Sequence, residues 1–169
     1  MQKNSTKIIL IVLIIAGILF GVGTVFNVFH CNMRRDYKVD TDRRIMSLRE
    51  KIADVEKEGA KDLTSSNRLL DYYNQLGTIY LEKRLWDMAI ESFQNCIKNG
   101  TPGPAVYHSL GLAYANRGYD GSSREDMILA EQNYRKAIEL KTDYADAIYG
   151  LAIVLFYHRD AREEAMTLV

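Results

Sequence analysis

The chain has 169 residues, with 22 basic and 22 acidic side chains, three histidines and two cysteines. Balanced charge excludes nucleic-acid binding driven by net charge, and Cys31 and Cys96 cannot build a disulfide framework. The length suits one domain plus an appendage, and two prolines beside eleven tyrosines suit a helical repeat better than a β-fold.

Residues 1–7 form a short polar tail with Lys3 and Lys7. Residues 8–29, Ile8 to Phe29, then run 22 positions without a charge, and their only polar side chains are Thr24 and Asn27. A helix of that length spans a hydrocarbon core of about 30 Å at roughly 1.5 Å per residue, so the spacing predicts a transmembrane helix. A cleaved secretory signal is the alternative, because Gly21-Val22-Gly23 offers a small-x-small site after Ile8 to Phe20. The run stays apolar through Val25, Phe26, Val28 and Phe29, which favours a retained anchor. Cys31 follows Val28-Phe29-His30, two of them bulky, which disfavours a lipid-modified bacterial cysteine; an interfacial palmitoylation site and an unmodified cysteine are the other readings. Gly17 and Gly21 form a GxxxG pair, a candidate homodimer face in the membrane, although such pairs also occur in anchors with no partner. Arg34, Arg35, Lys38, Arg43 and Arg44 follow the span against Lys3 and Lys7 before it. The positive-inside tendency therefore places the remainder in the cytoplasm. The opposite topology, periplasmic in a bacterium, is the alternative.

Residues 30–66 are a charged linker. Ile45, Leu48, Ile52 and Val55 step by 3, 4 and 3, an apolar stripe over two heptads. Two heptads are too few to assert a coiled coil, so an amphipathic helix is expected, packed on the first repeat unit or free as a stalk. Ser65, Ser66 and Asn67 are N-cap candidates for the next helix.

From residue 67 to 169 one pattern organises the chain. Tyr73, Leu76, Gly77 and Tyr80, then Ala89, Phe93 and Cys96, return as Tyr107, Leu110, Gly111 and Tyr114, then Ala130, Tyr134 and Ala137. Gly77 to Gly111 is a step of 34, whereas Ala89 to Ala130 is 41, so the second copy holds seven extra residues. The first-helix sets fall at i, i+3, i+4, i+7 and the second-helix sets at i, i+4, i+7, each one face of a helix. A glycine inside a helix costs roughly 1 kcal/mol against alanine, so Gly77 needs a packing reason, and close helix approach supplies it. Helices are expected over Asn67 to Lys83 and Trp86 to Asn99, with Gly100 to Pro104 ending the first unit. The second unit is expected over Pro104 to Asn116 and from Asp126 or earlier to Leu140. Gly118 and Gly121 read as a loop between them, and Ser122 with Glu125 as a capping box. The insertion is either a docking knob or a tolerated surface addition. A third copy opens with Ile148, Leu151, Ala152 and Leu155 on a helix over Tyr144 to Tyr157, followed by a short helix from Ala161 to Val169.

This pattern resembles the tetratricopeptide repeat (TPR) family: a large residue, Leu-Gly and Tyr on a first helix, with Ala, a large aromatic and Ala on a second. The chain departs from it at Cys96, at Leu155 and in lacking the usual proline at the end of a unit. The resemblance implies an all-α chain: the transmembrane helix, the charged linker helix, and an α-solenoid of about two and a half helix pairs. The repeats fall at about 70–103, 104–144 and, in part, 145–169.

The residues carry no nucleotide-binding glycine loop, zinc-type spacing or nucleophile motif, so no enzyme, cofactor or metal site is expected. His30, His108 and His158 are isolated in the sequence. Stacked helix pairs offer a concave groove lined by their first helices. By the family's register its lining is Asp71, Asn74, Thr78 and Leu81, then Ala105, His108, Leu112 and Ala115, then Asp146, Tyr149, Ile153 and Phe156. Family members that grip acidic chaperone tails use lysine, arginine and asparagine there; none of these twelve is Lys or Arg. The lining suits an apolar or helical peptide instead, unless the stripe from Ile45 to Val55 plugs it. The expected function is a membrane-anchored scaffold for a protein partner. The alternatives are a soluble exported binding protein and a structural subunit of a larger membrane complex.

Overall fold

The computed structural model describes residues 37–59 and 62–157, and every regular element among them is a helix. These are α1 (37–58), α2 (Leu63–Glu82), α3 (Trp86–Asn99), α4 (Pro104–Gly121), α5 (Arg124–Leu140) and α6 (Ala145–Tyr157). Among the described residues no helix is long and apolar enough to cross a membrane. The span predicted over 8–29, its Gly17–Gly21 face, Cys31, His158 and the helix expected from Ala161 to Val169 lie outside them. The chain divides into two units, Met1–Arg44 and Ile45–Val169, and the array of packed helices belongs to the second.

Each helix from α2 to α6 packs on its neighbours in sequence, and α4 also touches α2 and α6. The first helices of successive pairs thus lie side by side, as a helical-repeat array requires. Gly77 and Gly111 set the approach within the pairs. A methyl group added at Gly77 would lie 2.7 Å from the Phe93 ring, and one at Gly111 would lie 3.0 Å from the Tyr134 ring. Both rings are buried, and removing such a ring from water contributes on the order of 2–3 kcal/mol. Tyr134 also reaches the next unit: a methyl group at Gly150 of α6 would sit 2.6 Å from it. One ring is therefore seated between two glycines on two helices, tying the second unit to the third.

Helix α1 closes the first edge of the array. Leu48, Ile52 and Val55 are buried in the common core, with Ile45 packed partly against it. The stripe is consumed by the repeat unit and does not form a coiled-coil seam. Arg49 donates from Nη2 to the Tyr80 hydroxyl at 2.8 Å, while Gln94 of α3 donates to the equivalent Tyr114 hydroxyl of α4 at 2.8 Å. The linker helix therefore stands toward α2 as α3 stands toward α4, in the place of a preceding unit's second helix.

Three boundaries differ from the sequence expectation. Helix α2 starts at Leu63 because Asp62, not Ser65, Ser66 or Asn67, is the cap: its carboxylate accepts from the Ser65 N–H at 2.7 Å, and the Ser65 hydroxyl and N–H together lower its pKa. Helix α4 runs through Gly118 to Gly121, where a loop was expected. Gly118 is buried in the helix pair, and a methyl group there would lie 3.1 Å from Asp126 Cβ. The turn residue is Ser122, with φ 52°, and the α5 cap is Ser123, accepting from Asp126 N–H at 3.2 Å. The first pair turns the same way at Arg84, φ 58°, where Leu85 N–H bonds Tyr80 C=O; in the second pair Ser123 N–H bonds Gly118 C=O.

Candidate functional site

The first helices carry the lining positions, and their register follows from the buried face opposite. Leu76, Leu110 and Leu151 point into the core, which turns the residues two positions before and after them away from it. Thr78 is exposed, and its hydroxyl donates to Asn74 C=O at 2.9 Å; Asn74 and Leu81 are half-buried. On α4, Leu112 is 37% exposed, His108 is half-buried, and Ala115 is buried, so that last position does not line an open surface. On α6, Tyr149 is 65% and Phe156 51% exposed, and Ile153 is half-buried. Asp71, Ala105 and Asp146 are exposed. Thr78, Leu112, Tyr149 and Phe156 stay exposed, while α1 meets Tyr72, Tyr73 and Tyr80 of α2 and shares a crevice with α3.

His108 sits at the centre of this lining. Its ring lies 5.8 Å from that of Tyr134 and 5.4 Å from that of Tyr144. Burial lowers its pKa from the ordinary histidine value, opposed by the nearby Asp146 carboxylate. It is therefore neutral at pH 7, and the lining presents no formal cation there. The exposed carboxylates of Asp71 and Asp146 would repel an acidic tail.

Two other features carry polar or nucleophilic groups. A crevice of about 250 Å³ lies between α1, α2 and α3, and four of its polar groups are paired: Arg49 with Tyr80, and Glu56 accepting from the Tyr73 hydroxyl at 2.7 Å. Cys96 is buried and donates to Leu70 C=O at 3.4 Å, and burial pushes its thiol pKa up to about 12. It fills a small-residue site and is not a reactive thiolate. Among the described residues no group of three or more His, Cys, Asp or Glu side chains could hold a metal ion.

Sequence reasoning missed Gly150, Arg117 and Tyr119. Gly150 carried the same signal as Gly77, a glycine inside a helix without a local reason. Arg117 and Tyr119 fell in the stretch read as a loop.

No family model matches the chain. It is 31% identical over 127 residues to a protein of Cyanophora paradoxa described as "Uncharacterized protein ycf37". That alignment takes in 75% of this chain and 65% of the relative, so the chain spans just under two thirds of the relative's length. Among solved structures it is similar to MamA, a TPR-containing protein, with a TM-score of 0.60 and 23% identity, over 80% of this chain and 68% of that one. At that identity the likeness shows the fold: a TPR-like helical repeat.

Proposed function

We propose that the chain is a non-catalytic TPR-like scaffold, held at a membrane by residues 8–29, that takes an apolar or helical segment of a protein partner on its concave face. The observation that carries the reading is the exposure of Leu112, Tyr149 and Phe156 at lining positions. Large apolar side chains grouped on one surface favour a partner over water. The missing Lys and Arg, the neutral His108 and the carboxylates of Asp71 and Asp146 set that partner apart from an acidic tail. The charge count around the span favours the cytoplasmic side for the repeats, with the periplasmic side as the alternative.

The test is co-purification of the full chain beside a Tyr149→Ala, Phe156→Ala double variant of unchanged helical content. Loss of a partner from the variant supports the groove. An identical partner set overturns it and favours a subunit assembled through other surfaces. Membrane attachment is tested separately by fractionation with a high-salt wash, and a chain released in soluble form points to cleavage near Gly23. Protease access in sealed vesicles reports the side.

A further inference from the structure

The seven extra residues of the second unit do not form a loop. Helix α2 runs five residues past Gly77, whereas α4 runs ten past Gly111, and α5 starts three residues earlier relative to Ala130 than α3 does relative to Ala89. The turn itself is one residue shorter. The added part of α4 is therefore Arg117 to Gly121, about one and a third helical turns.

Those five residues make contacts in three directions. Inside the unit, Arg117 holds Asp126 with two bonds, Nε to Oδ2 at 2.8 Å and Nη2 to Oδ1 at 2.6 Å. Toward the first unit, Arg117 Nη1 donates to Asp87 at 2.6 Å, and Asp120 accepts from the Trp86 indole N–H at 2.7 Å. Arg84 stands 3.8 Å from Asp120 and 5.5 Å over the Trp86 ring. Toward the third unit, the Tyr119 ring meets the Tyr157 ring edge-on at 5.1 Å. A first helix that stopped where α2 stops, at the position of Asn116, would make none of these contacts.

We propose that the added turn is a brace that fixes the angle of the second unit against both neighbours, and so the curvature of the concave face. Helix pairs in such arrays touch only their neighbours, so curvature depends on small rotations at each junction. A contact outside the core at both junctions restrains those rotations through a lever arm that the core residues lack. The contacts of Arg117, Tyr119 and Asp120 lie within their own array, while Tyr119 and Asp120 keep exposed surface. A surface fixed before binding spares the partner's complex the cost of ordering it. The brace goes beyond the scaffold reading and is measured without a partner, so the two stand or fall separately.

The test is pulsed electron paramagnetic resonance on the full chain with Cys31→Ser. Spin labels at Lys98→Cys and Gln132→Cys report the first junction, and labels at Gln132→Cys and Ala145→Cys the second. Asp87→Ala with Asp120→Ala cuts only the arm to the first unit, and Tyr119→Ala only the arm to the third. Both variants keep the Arg117–Asp126 pair that holds the hairpin. Each is expected to widen the distance distribution at its own junction and leave the other unchanged. Unchanged widths in both variants, or widening at both junctions from either one, overturns the brace.

Discussion

The first and second repeat units share their signature positions and solve the same packing problem with different chemistry. In the first, Phe93 seats against Gly77 and has no polar end to satisfy. Its outer edge is closed by α1, through buried Leu48, Ile52 and Val55 and the Arg49–Tyr80 bond. In the second, Tyr134 seats against both Gly111 and Gly150, and the pair is lengthened and bound by Arg117 and Asp126. The first unit is an end piece, finished on one side by a helix borrowed from the linker. The second is a junction, and its extra residues go into helix and ion pairs because it has neighbours on both sides to grip.

The sharpest way to break this contrast is to remove the two rings. Phe93→Ala and Tyr134→Ala each delete a buried aromatic side chain, a loss of about 3–5 kcal/mol. Tyr134→Ala is expected to cost more, because it empties space against α4 and α6 together. It is also expected to loosen α6, seen as faster amide exchange from Ala147 to Leu155, whereas Phe93→Ala leaves α6 protected. Equal losses with equal exchange patterns would show that Tyr134 serves its own unit only. Urea melts and exchange mass spectrometry read both quantities.

The spacing of Gly77, Phe93, Gly111 and Tyr134 made the packed pairs legible, because a ring and a glycine at a fixed interval admit few arrangements. The linker stripe was legible as a buried face, but its neighbour was not: periodicity says which side of a helix is covered and not by what. The second pair was misread at Gly118 and Gly121 because glycine disfavours helix by roughly 1 kcal/mol in isolation. Gly118 is nevertheless a position where α4 and α5 approach closely in their added length, and contact with Asp126 and Met127 outweighs local preference. The lining positions follow from register alone, which is why eleven of them keep some exposure while Ala115 is buried. Nothing in the spacing of Arg117 and Asp126 showed that they would meet, since their contact exists only once the loop is helix.

A middle-sized effect tests the polar lock of the second unit. Asp126 is 7% exposed, and its carboxylate holds the Arg117 guanidinium in the charged form with help from Asp87. Arg117→Leu leaves that carboxylate buried without its cation. Because the Arg117 side chain is itself about a third exposed, the loss is expected near ~2 kcal/mol, below the range for fully buried pairs. Changing Asp126→Asn as well should recover part of it, since the buried charge is gone. A double variant no better than Arg117→Leu would mean that the arginine's stem, not its charge, does the holding.

The smallest effect concerns the histidine of the groove. The folded chain disfavours charged His108, so its pKa is lower folded than unfolded. The unfolded state then binds more protons between those two values, and stability rises with pH across that window. The stabilising contribution is complete above the unfolded value of about 6.5. It is lost as pH falls toward the folded value and becomes constant below it. His108→Gln should flatten that part of the melting-temperature profile, and Asp146→Asn should steepen it by removing the carboxylate that favours the charged ring. A wild-type profile that gains stability on acidification through the same window would reverse the sign and place His108 in a cation-stabilising site. The groove would then present a positive charge at its centre, and an acidic segment would become the partner to seek.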